Sequence, residues 1–414
     1  MDAVTDRMSS RLWPAGLTRV PYWVYAEQDV LATEQRRIFE GPVWNYLCLE
    51  VDLPNVGDYR TTFIGSMPVV VVRADDGELC GFENRCAHRG ALICLEDGGT
   101  AKDFQCVYHS WRYDLRGNLC SVAFRHGVNG KGGMSSDFDM AQHGPRKLRI
   151  TTCCGLVFGT LSNDTPDFEN WIGGEIAGRI RRVLGNKKIE IIGRFTQALP
   201  NNWKLYFENV RDTYHASLLH LFLTTFRITR LSQGGGVLVS DTGVGHASAT
   251  LVPMQGPDTS YTSQSLRADN ESFRLADPSI LRMHDEFHDN IQLQILSVFP
   301  AFVLQQVQNA LAVRQIVPRG VDQTDLNWTY LGFTDDTPEL RMHRLKQCNL
   351  VGPAGYVSME DGCVGGFVQR GIAAAADELS VVEMGGAAAD TQDTRATEAS
   401  VRGFWKAYRA HMGL

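Results

Sequence analysis

The spacing of apolar residues divides the chain into segments with two different periods. Residues 26–40 carry apolar side chains at helical spacing, and this stripe ends at Gly41. From Trp44 onward apolar and polar residues alternate, which is typical of half-buried strands. The pattern therefore predicts a small all-β domain over residues 43–160. Its strands are predicted at 45–51, 58–64, 69–73, 111–115 and 153–161, with turns at 75–77 and 116–118.

The second half of the chain mixes long helical stripes with many strand-like runs. After Pro200, with two asparagines as candidate caps, the pattern predicts one long helix from Trp203 to about residue 221. Antiparallel strands flanked by long helices predict an α+β domain over residues 161–414. Further helices are predicted at 168–184, 338–350 and 396–411, and strands at 188–199, 237–240, 246–252, 291–299, 302–308, 310–317, 326–333 and 381–384.

The charge and cysteine content of the chain narrow the classes of partner and compartment. With a net charge of -7, the 414-residue chain offers no basic face for a nucleic-acid backbone. Residues 1–14 show no signal-peptide pattern, and no apolar run reaches the roughly eighteen residues that a membrane span needs. Eight of the ten cysteines are scattered, mostly among apolar residues, and are expected to be reduced thiols. We therefore expect a cytoplasmic protein without nucleic-acid or membrane partners.

Two cysteines and two histidines between residues 83 and 111 alternate in a pattern suited to an iron–sulfur cluster. Cys86 and His88 stand on one predicted loop, and Cys106 and His109 stand on the next. Two thiolates on one iron and two imidazoles on the other are the ligands of a Rieske [2Fe-2S] centre. Zinc accepts the same four donors, but zinc motifs usually group cysteines together and histidines together. The alternation favours the iron–sulfur cluster over a structural zinc site.

A second candidate metal site lies on the long predicted helix, where Asp212, His215 and His220 follow one another. Histidines at this spacing are rotated by about 140° on a regular helix, so both reach one ion only at a helix end or a π-bulge. Without such an irregularity they are two unrelated, partly buried histidines. Two histidines and one carboxylate are typical of non-haem Fe(II) oxygenases, and Asp212 is spaced to orient the His215 ring. Glu360 and Asp361, after a Gly-rich loop, both remain candidates for the third ligand.

Two arginines stand where an isolated positive charge is unfavourable. Arg314 interrupts the apolar strand 310–317, and a buried guanidinium needs a partner. A carboxylate fits its planar fork with two parallel hydrogen bonds. Arg395 opens the predicted C-terminal helix, where an acidic residue would suit the helix dipole better. Each arginine also has a simpler interpretation: Arg314 pairs with an internal acid or faces outward, and Arg395 is solvated.

From about residue 19 to residue 413, the chain resembles the large (α) subunit of Rieske-type aromatic-ring-hydroxylating dioxygenases. The resemblance rests on ENRCAHRGALI at 83–93, FQCVYHSW at 104–111, YHASLLH at 214–220 and SMEDG at 358–362. Within the family, the chain is most similar to members of the terephthalate 1,2-dioxygenase type, with the salicylate 5-hydroxylase and anthranilate dioxygenase types as close alternatives. The resemblance implies a Rieske domain inserted into a helix-grip catalytic domain, to which residues 1–42 also belong.

The resemblance also implies roles for individual residues. Asp361 aligns with the third ligand of the mononuclear iron, and Glu360 lies just outside the ligand set. Naphthalene-type members usually carry Asn where this chain has Glu208, which leaves open whether Glu208 faces the iron. Arg314 and Arg395 align with two carboxylate-binding arginines. One clamp for each carboxylate would suit a para-dicarboxylate such as terephthalate, whereas a monocarboxylate such as salicylate would leave one arginine unpaired.

The reaction implied by the resemblance is that of a multicomponent oxygenase. An NAD(P)H-dependent reductase loads the cluster, and the electron passes to the mononuclear iron of the neighbouring subunit in a ring of three. Asp212 bridges His109 of one subunit and His215 of the next. O2 supplies both oxygen atoms of a cis-dihydrodiol, although monohydroxylation uses the same iron ligands. A small β subunit and an α3β3 assembly are implied as well.

Two other interpretations of the same residues involve no oxygenase chemistry. A Rieske electron carrier fused to a binding domain needs only the cluster, and a zinc-stabilised interaction module needs no iron. Asp212, His215, His220 and Asp361 argue against the carrier, because a carrier needs no second iron. Metal content separates the three: about three irons and two sulfides per chain for the oxygenase, about two irons for the carrier, and zinc for the module.

Overall fold

The chain folds into two compact units, which we describe separately. The structure is a computed structural model that describes residues 13–185, 187–253, 258–264, 266 and 272–414. One unit is Phe39–Thr165, and the other consists of the described residues on either side of it. Each of the two divisions falls within five residues of the domain boundaries that the sequence pattern places at 42/43 and 160/161.

The helices and strands are distributed unevenly between the two units. Residues 39–165 are all described and contain strands and 3-10 turns but no α-helix, in agreement with the predicted all-β domain. In chain order the strands are β1 (Arg19–Pro21), β2 (Asn45–Leu49), β3 (Asp58–Ile64), β4 (Met67–Arg73), β5 (Leu79–Glu83), β6 (Gly98–Thr100), β7 (Phe104–Gln105), β8 (Arg112–Tyr113), β9 (Leu119–Ser121), β10 (Lys147–Cys153), β11 (Leu156–Thr160), β12 (Ile189–Leu199), β13 (Gly235–Val239), β14 (Gly245–Leu251), β15 (Ile291–Val298), β16 (Phe302–Val307), β17 (Ala310–Pro318), β18 (Thr324–Phe333) and β19 (Leu379–Val381). The α-helices are α1 (Trp23–Ala26), α2 (Gln28–Glu34), α3 (Phe168–Ile172), α4 (Gly174–Leu184), α5 (Trp203–Arg211), α6 (Ala216–Leu219), α7 (Leu221–Thr225), α8 (Thr259–Thr262), α9 (Pro338–Val351), α10 (Tyr356–Ile372) and α11 (Ala399–Met412).

Two antiparallel sheets form the unit Phe39–Thr165. The larger sheet has the strand order β2-β11-β10-β5-β4-β3-β6, and the smaller one has the order β7-β8-β9. One loop leaves the larger sheet after β5, and a second loop joins β7 to β8. Cys86 and Cys106, one on each loop, are part of the buried apolar core that also contains Phe82, Phe104 and Tyr113. The two cysteine-bearing loops are therefore anchored in the interior.

A second seven-stranded antiparallel sheet forms the base of the other unit, in the order β12-β18-β17-β16-β15-β14-β13. Its central strands β16 and β17 are buried at every residue, so both faces of the sheet are covered there. Helices α5 and α9 both pack against β17, and α5 also packs against α10 and α11. Long helices on a buried antiparallel sheet confirm the predicted α+β class.

The single long helix predicted from Trp203 to residue 221 is wrong. α5 ends at Arg211, and Asp212 has an extended backbone with φ −83° and ψ 102°. The short helices α6 and α7 follow, with His220 between them. The break occurs because the Asp212 side chain accepts hydrogen bonds from the backbone N–H groups that come next, which competes with the helical pattern.

The C-terminal part departs from the sequence expectation in two further places. The short strand predicted at residues 381–384 lies slightly earlier, as β19, and pairs with β1. Helix α11 begins at Ala399, so Arg395 lies in the loop before it and does not open the helix. Within the described part of the chain, no helix combines the length and apolar character needed to cross a membrane.

Candidate active site

The two loops that carry the cysteine and histidine pairs have the same backbone design. In the first loop, the Cys86 N–H donates to the carbonyl of Ala91 (2.8 Å), and the Gly90 N–H donates to the carbonyl of Cys86 (2.9 Å). Cys106 makes the same two hydrogen bonds with the residues five and four positions after it, at 2.8 and 3.0 Å. Gly90 and Ser110, the equivalent residues, both have positive φ. Each loop therefore presents its thiol and its imidazole in the same way.

The side chains of these loops separate by type. Cys86 and Cys106 are buried, His88 is exposed, and the centroids of the His88 and His109 rings lie 4.5 Å apart. Trp111 stacks on His88 with an interplanar angle of 7°. Two thiols on the inside and two imidazoles at the surface are the donors that the two irons of a Rieske cluster need. The donor set fits this cluster.

Tyr113 contacts the thiol side of this candidate cluster site, and the sequence analysis did not identify it. Its hydroxyl lies 3.1 Å from Cys86 Sγ and accepts a hydrogen bond from the Ala87 N–H at 3.0 Å. Because the backbone donates to the oxygen, the hydroxyl hydrogen is free to point at the sulfur. Burial raises the pKa of Tyr113, so the hydroxyl stays protonated and stabilises a thiolate.

The break after α5 brings the two candidate histidine ligands together. His215 precedes α6, His220 follows it, and their ring centroids lie 5.4 Å apart. The structure thus supplies the local irregularity that a five-residue spacing requires. Asp361 lies on α10, and its Oδ1 atom is 3.5 Å from His215 Nε2 and 3.3 Å from His220 Nε2. One donor atom from each of the three residues lies within 4.8 Å of the others.

A carboxylate lies on the far side of each histidine ring. Asp212 Oδ2 is 3.3 Å from His215 Nδ1, and Glu360 Oε2 is 2.8 Å from His220 Nδ1. Both Nε2 atoms are left to face Asp361. Carboxylates in this position fix the tautomer and orientation of a metal-binding histidine. The geometry therefore places Glu360 behind His220, whereas Asp361 faces both rings.

The electrostatics of the triad favour positive charge. Burial alone would lower the pKa of His215, but Asp212 and Asp361 outweigh it and raise that pKa to about 10. Burial would raise the pKa of Asp361, yet the two histidines hold it well below its usual range. A divalent cation supplies the positive charge that this cluster otherwise obtains from protons. Two imidazoles and one carboxylate that line one cavity fit a ferrous ion.

The side chains of Glu208 and Asn209 answer the open question of whether Glu208 faces the iron site. Glu208 faces away from the triad, where it accepts hydrogen bonds from Tyr25 (2.9 Å) and Trp405 (2.5 Å). Burial raises the pKa of Glu208 to about 7 despite these bonds. Asn209 faces the triad, and its Nδ2 donates to Asp361 Oδ1 at 3.1 Å. One step along a helix turns the side chain by about 100°, so these two neighbours face different surroundings.

Arg314 lines the same cavity as the triad. It is 4% exposed, and Nη1 donates to the Tyr206 hydroxyl at 2.6 Å. Trp328 lies against the guanidinium, 4.7 Å away at the ring centroid. In the part of the chain that the structure describes, Nε has no hydrogen-bond partner and no carboxylate pairs with the group. The internal acid that would make Arg314 a structural residue is therefore not observed among these residues.

Arg395 lines the cavity as well, although it comes from the loop before α11. Its Nη1 donates to Thr229 Oγ1 at 2.7 Å, and Nη2 donates to the carbonyls of Arg230 and Gln233. Nε has no partner among the described residues. Burial lowers the pKa of Arg395 to about 10, so the side chain remains charged at neutral pH. Arg395 is thus held in place by neutral acceptors and keeps its positive charge.

Comparison with known families finds a match for each of two parts of the chain. Residues 43–129 match the Rieske [2Fe-2S] domain, and residues 184–414 match the catalytic domain of the ring-hydroxylating alpha subunit. The chain belongs to the family of Rieske-type ring-hydroxylating oxygenase alpha subunits. It is an oxidoreductase that uses a Rieske cluster, a mononuclear iron and O2, and it receives electrons as one component of a multicomponent system.

Individual relatives span almost the whole chain. The chain is 59% identical to the terephthalate 1,2-dioxygenase terminal oxygenase component subunit alpha 2 of Comamonas sp., over 96% of both chains. It is 46% identical to the anthranilate 1,2-dioxygenase large subunit of Burkholderia cepacia, over 96% of this chain and 94% of that one. The crystal structure of a naphthalene 1,2-dioxygenase from Rhodococcus sp. has a TM-score of 0.78 at 20% identity, covering 95% and 94% of the two chains. This last likeness shows the shared fold.

Proposed function

We propose that the chain is the α subunit of an oxygenase that converts terephthalate to its 1,2-cis-dihydrodiol dicarboxylate. The observation that carries this proposal is the pair of buried arginines, Arg314 and Arg395, in the cavity that also holds the iron triad. Each guanidinium has an Nε without a partner among the described residues. A para-dicarboxylate supplies one anionic group for each arginine. The 59% identity to a protein named as a terephthalate 1,2-dioxygenase subunit supports the same substrate.

The metal ligands in this proposal are the seven residues that the geometry brings into two groups. When bound, the mononuclear iron supplies the activation of O2, and the protein positions the aromatic ring beside it. Arg314 and Arg395 fix the ring along the line that joins its two carboxylates, which limits the carbons that face the triad. Cys86, His88, Cys106 and His109 hold the [2Fe-2S] cluster, and His215, His220 and Asp361 hold Fe(II).

Anthranilate and salicylate oxygenation are the closest alternatives, because relatives named for those substrates match the chain at 46% and 38% identity. Each of those ring compounds carries a single carboxylate. Binding one of them would leave either Arg314 or Arg395 as a buried cation without an anionic partner, which costs free energy. An electron carrier without oxygenase activity is disfavoured, because it has no use for a second metal site.

The proposal includes partners that the single chain does not contain. We infer an NAD(P)H-dependent reductase, a small β subunit and an α3β3 assembly, in which Asp212 links His215 to His109 of the neighbouring subunit. The side chain of Asp212 is 26% exposed, and the His88 and His109 rings reach the surface of their own unit, so both groups are accessible. All ten cysteines lie in the described part of the chain and none forms a disulfide there, which suits the cytoplasm. That location remains a prediction.

Reconstitution with a reductase tests the proposed substrate directly. The purified oxygenase is loaded with iron and sulfide without oxygen, then supplied with NAD(P)H, reductase and O2. Terephthalate, phthalate, benzoate and salicylate are compared, and the product of each is identified. We expect a cis-dihydrodiol from terephthalate and at least tenfold lower kcat/KM for the monocarboxylates. A preference for salicylate, or a product that carries only one new hydroxyl group, would contradict the proposal.

Replacing Cys106 with serine is expected to remove the Rieske cluster and leave the mononuclear site able to bind iron. Serine is a poor ligand for iron–sulfur clusters, and Cys106 lies in the core of its own unit, away from the His215 triad in sequence. Iron content should fall from about three to about one per chain, and the visible absorption bands of the cluster should disappear. Cys120→Ser, an exposed cysteine of the same unit, is the control and should keep the bands. Retained bands in Cys106→Ser would contradict the ligand assignment.

Glu360→Leu is expected to weaken Fe(II) binding, whereas Glu360→Gln should bind it almost normally. Gln keeps an oxygen that accepts from His220 Nδ1, but Leu leaves that nitrogen without a partner and frees the ring to turn. Loss of such a supporting carboxylate typically lowers metal affinity about 10- to 100-fold. Fe(II) titration of the metal-depleted mononuclear site measures the effect. Glu378→Leu, an exposed glutamate after α10, serves as the control. Equal affinities for Leu and Gln would show that Glu360 does not position His220.

A further inference from the structure

A glutamine in the substrate cavity has a hydrogen-bond donor that the described residues do not satisfy. Gln305 on β16 is 4% exposed and lines the cavity that holds the triad and both arginines. Its Nε2 has no hydrogen-bond partner among the residues described. A buried donor without an acceptor costs about 1–3 kcal/mol. The cost is avoided if a bound molecule supplies the acceptor.

The register of the sheet places this donor next to Arg314. Gln305 pairs with Ala312 across β16 and β17, and Arg314 is two residues further along β17. Paired residues, and residues two apart on one strand, project from the same face of a sheet. Diagonal neighbours of this kind lie roughly 7–8 Å apart at Cα, which long side chains span easily. Gln305 and Arg314 therefore approach the cavity from adjacent strands of one wall.

The chemistry of the wall indicates what the missing acceptor is. Arg314 offers Nε, and Gln305 offers Nε2, and neither has an acceptor in the described part of the chain. The carboxylates that line the cavity, Asp212 and Asp361, are engaged with the histidines. Two unsatisfied donors side by side require a group with several lone pairs. A carboxylate accepts two hydrogen bonds from a guanidinium and has lone pairs left for a third donor.

We propose that Gln305 donates through Nε2 to the substrate carboxylate held by Arg314 and is a specificity-determining residue of the cavity. This inference rests on the proposed function and adds a third donor to that end of the substrate. The two side chains then form one carboxylate-binding site. Arg314 supplies the positive charge, and Arg314 and Gln305 together orient the carboxylate. The other carboxylate remains with Arg395. There, Thr229 and backbone carbonyls already accept hydrogen bonds from the Nη1 and Nη2 atoms of the guanidinium.

A double-mutant cycle with terephthalate as the probe tests the inference. Gln305→Met keeps the length of the side chain and removes the donor, and Arg314→Met removes the charge in the same way. The Kd of terephthalate is measured by calorimetry on the purified, metal-loaded oxygenase without reductase. Gln305→Met should raise the Kd about tenfold, in line with a hydrogen bond to a charged group. In the Arg314→Met background the same change should alter the Kd less than about threefold, because the carboxylate no longer sits between the two side chains.

The outcomes separate this inference from the proposed function. Wild-type Kd values in Gln305→Met, or equal effects of that change in both backgrounds, would show that Gln305 does not contact the carboxylate, although terephthalate could still be the substrate. Failure of the wild-type oxygenase to bind terephthalate would overturn both conclusions. Iron content and far-UV circular dichroism of each variant confirm that the fold is intact. Gln323→Met, an exposed glutamine in the loop between β17 and β18, should leave the Kd unchanged.

Discussion

Asp212→Asn is expected to lower product formation about 100-fold while both metal sites remain loaded. Asparagine keeps the Oδ1 atom that accepts from the backbone N–H groups of Tyr214 and His215, so the turn after α5 should persist. It replaces Oδ2 with an amide N–H2 group, which cannot accept a hydrogen bond from His215 Nδ1, 3.3 Å from Oδ2 in the wild type. The ring then loses its orienting partner and any link through Asp212 to the cluster of a neighbouring subunit.

Single-turnover kinetics measure this effect most directly. The reduced oxygenase is mixed with O2 and terephthalate, and oxidation of the cluster is followed optically while product is quantified in the same samples. In Asp212→Asn, oxidation of the cluster should be slow and should no longer match the amount of product. Asp322→Asn changes an exposed carboxylate and should behave as the wild type. Normal coupling between cluster oxidation and product formation in Asp212→Asn would contradict the proposed role of Asp212 as a bridge between the two metal sites.

Arg314→Met is expected to raise the KM for terephthalate about 100-fold with unchanged iron content. The substitution keeps an unbranched side chain in the space beside Trp328 but removes every donor, and charge-assisted hydrogen bonds contribute about 1.5–3 kcal/mol each. Because Arg314 lies on β17 and none of the proposed iron ligands does, loss of the guanidinium should change binding more than metal loading. Steady-state kinetics and iron analysis of the same preparation report both quantities.

Two comparison variants decide whether the planar guanidinium matters or only its charge. Arg314→Lys keeps the charge and loses the fork, so its KM should lie between those of the wild type and Arg314→Met. Arg319→Met, at the exposed residue that directly follows β17, should leave the KM unchanged. Arg395→Ala should also raise the KM. Wild-type kinetics in both Arg314→Met and Arg395→Ala would show that these arginines are structural.

The candidate metal ligands could be proposed from the sequence because ligand chemistry restricts residue type and spacing. Only cysteine and histidine supply the donors of a Rieske cluster, and their alternation across two loops distinguishes it from most zinc sites. The requirement for an irregular helix between His215 and His220 also follows from geometry alone. The residues by themselves did not decide between Glu360 and Asp361, because both lie on the same helix turn. The choice depends on how α10 is rotated against the histidines, which only packing determines.

Other features of the site depend on contacts between distant parts of the chain. Arg395 is held by carbonyls and a hydroxyl more than 160 residues away, and backbone carbonyls have no signature in a sequence. Tyr113 and Gln305 are one aromatic and one amide among many, and their importance appears only when a sulfur or a cavity is found beside them. Asn209 carried one available signal: it follows Glu208, and naphthalene-type members of the family usually carry asparagine at the Glu208 position.

The triad joins two segments that lie far apart in the chain, the broken helix at His215 and His220 and the long helix α10 at Asp361. A cation bound by all three side chains therefore crosslinks the two segments in addition to its part in catalysis. Its binding free energy adds to the stability of the native state. Loss of that ion would leave the imidazoles and the carboxylate held together by protons alone. Iron starvation would then loosen the anchoring of α10 in the same step that abolishes turnover.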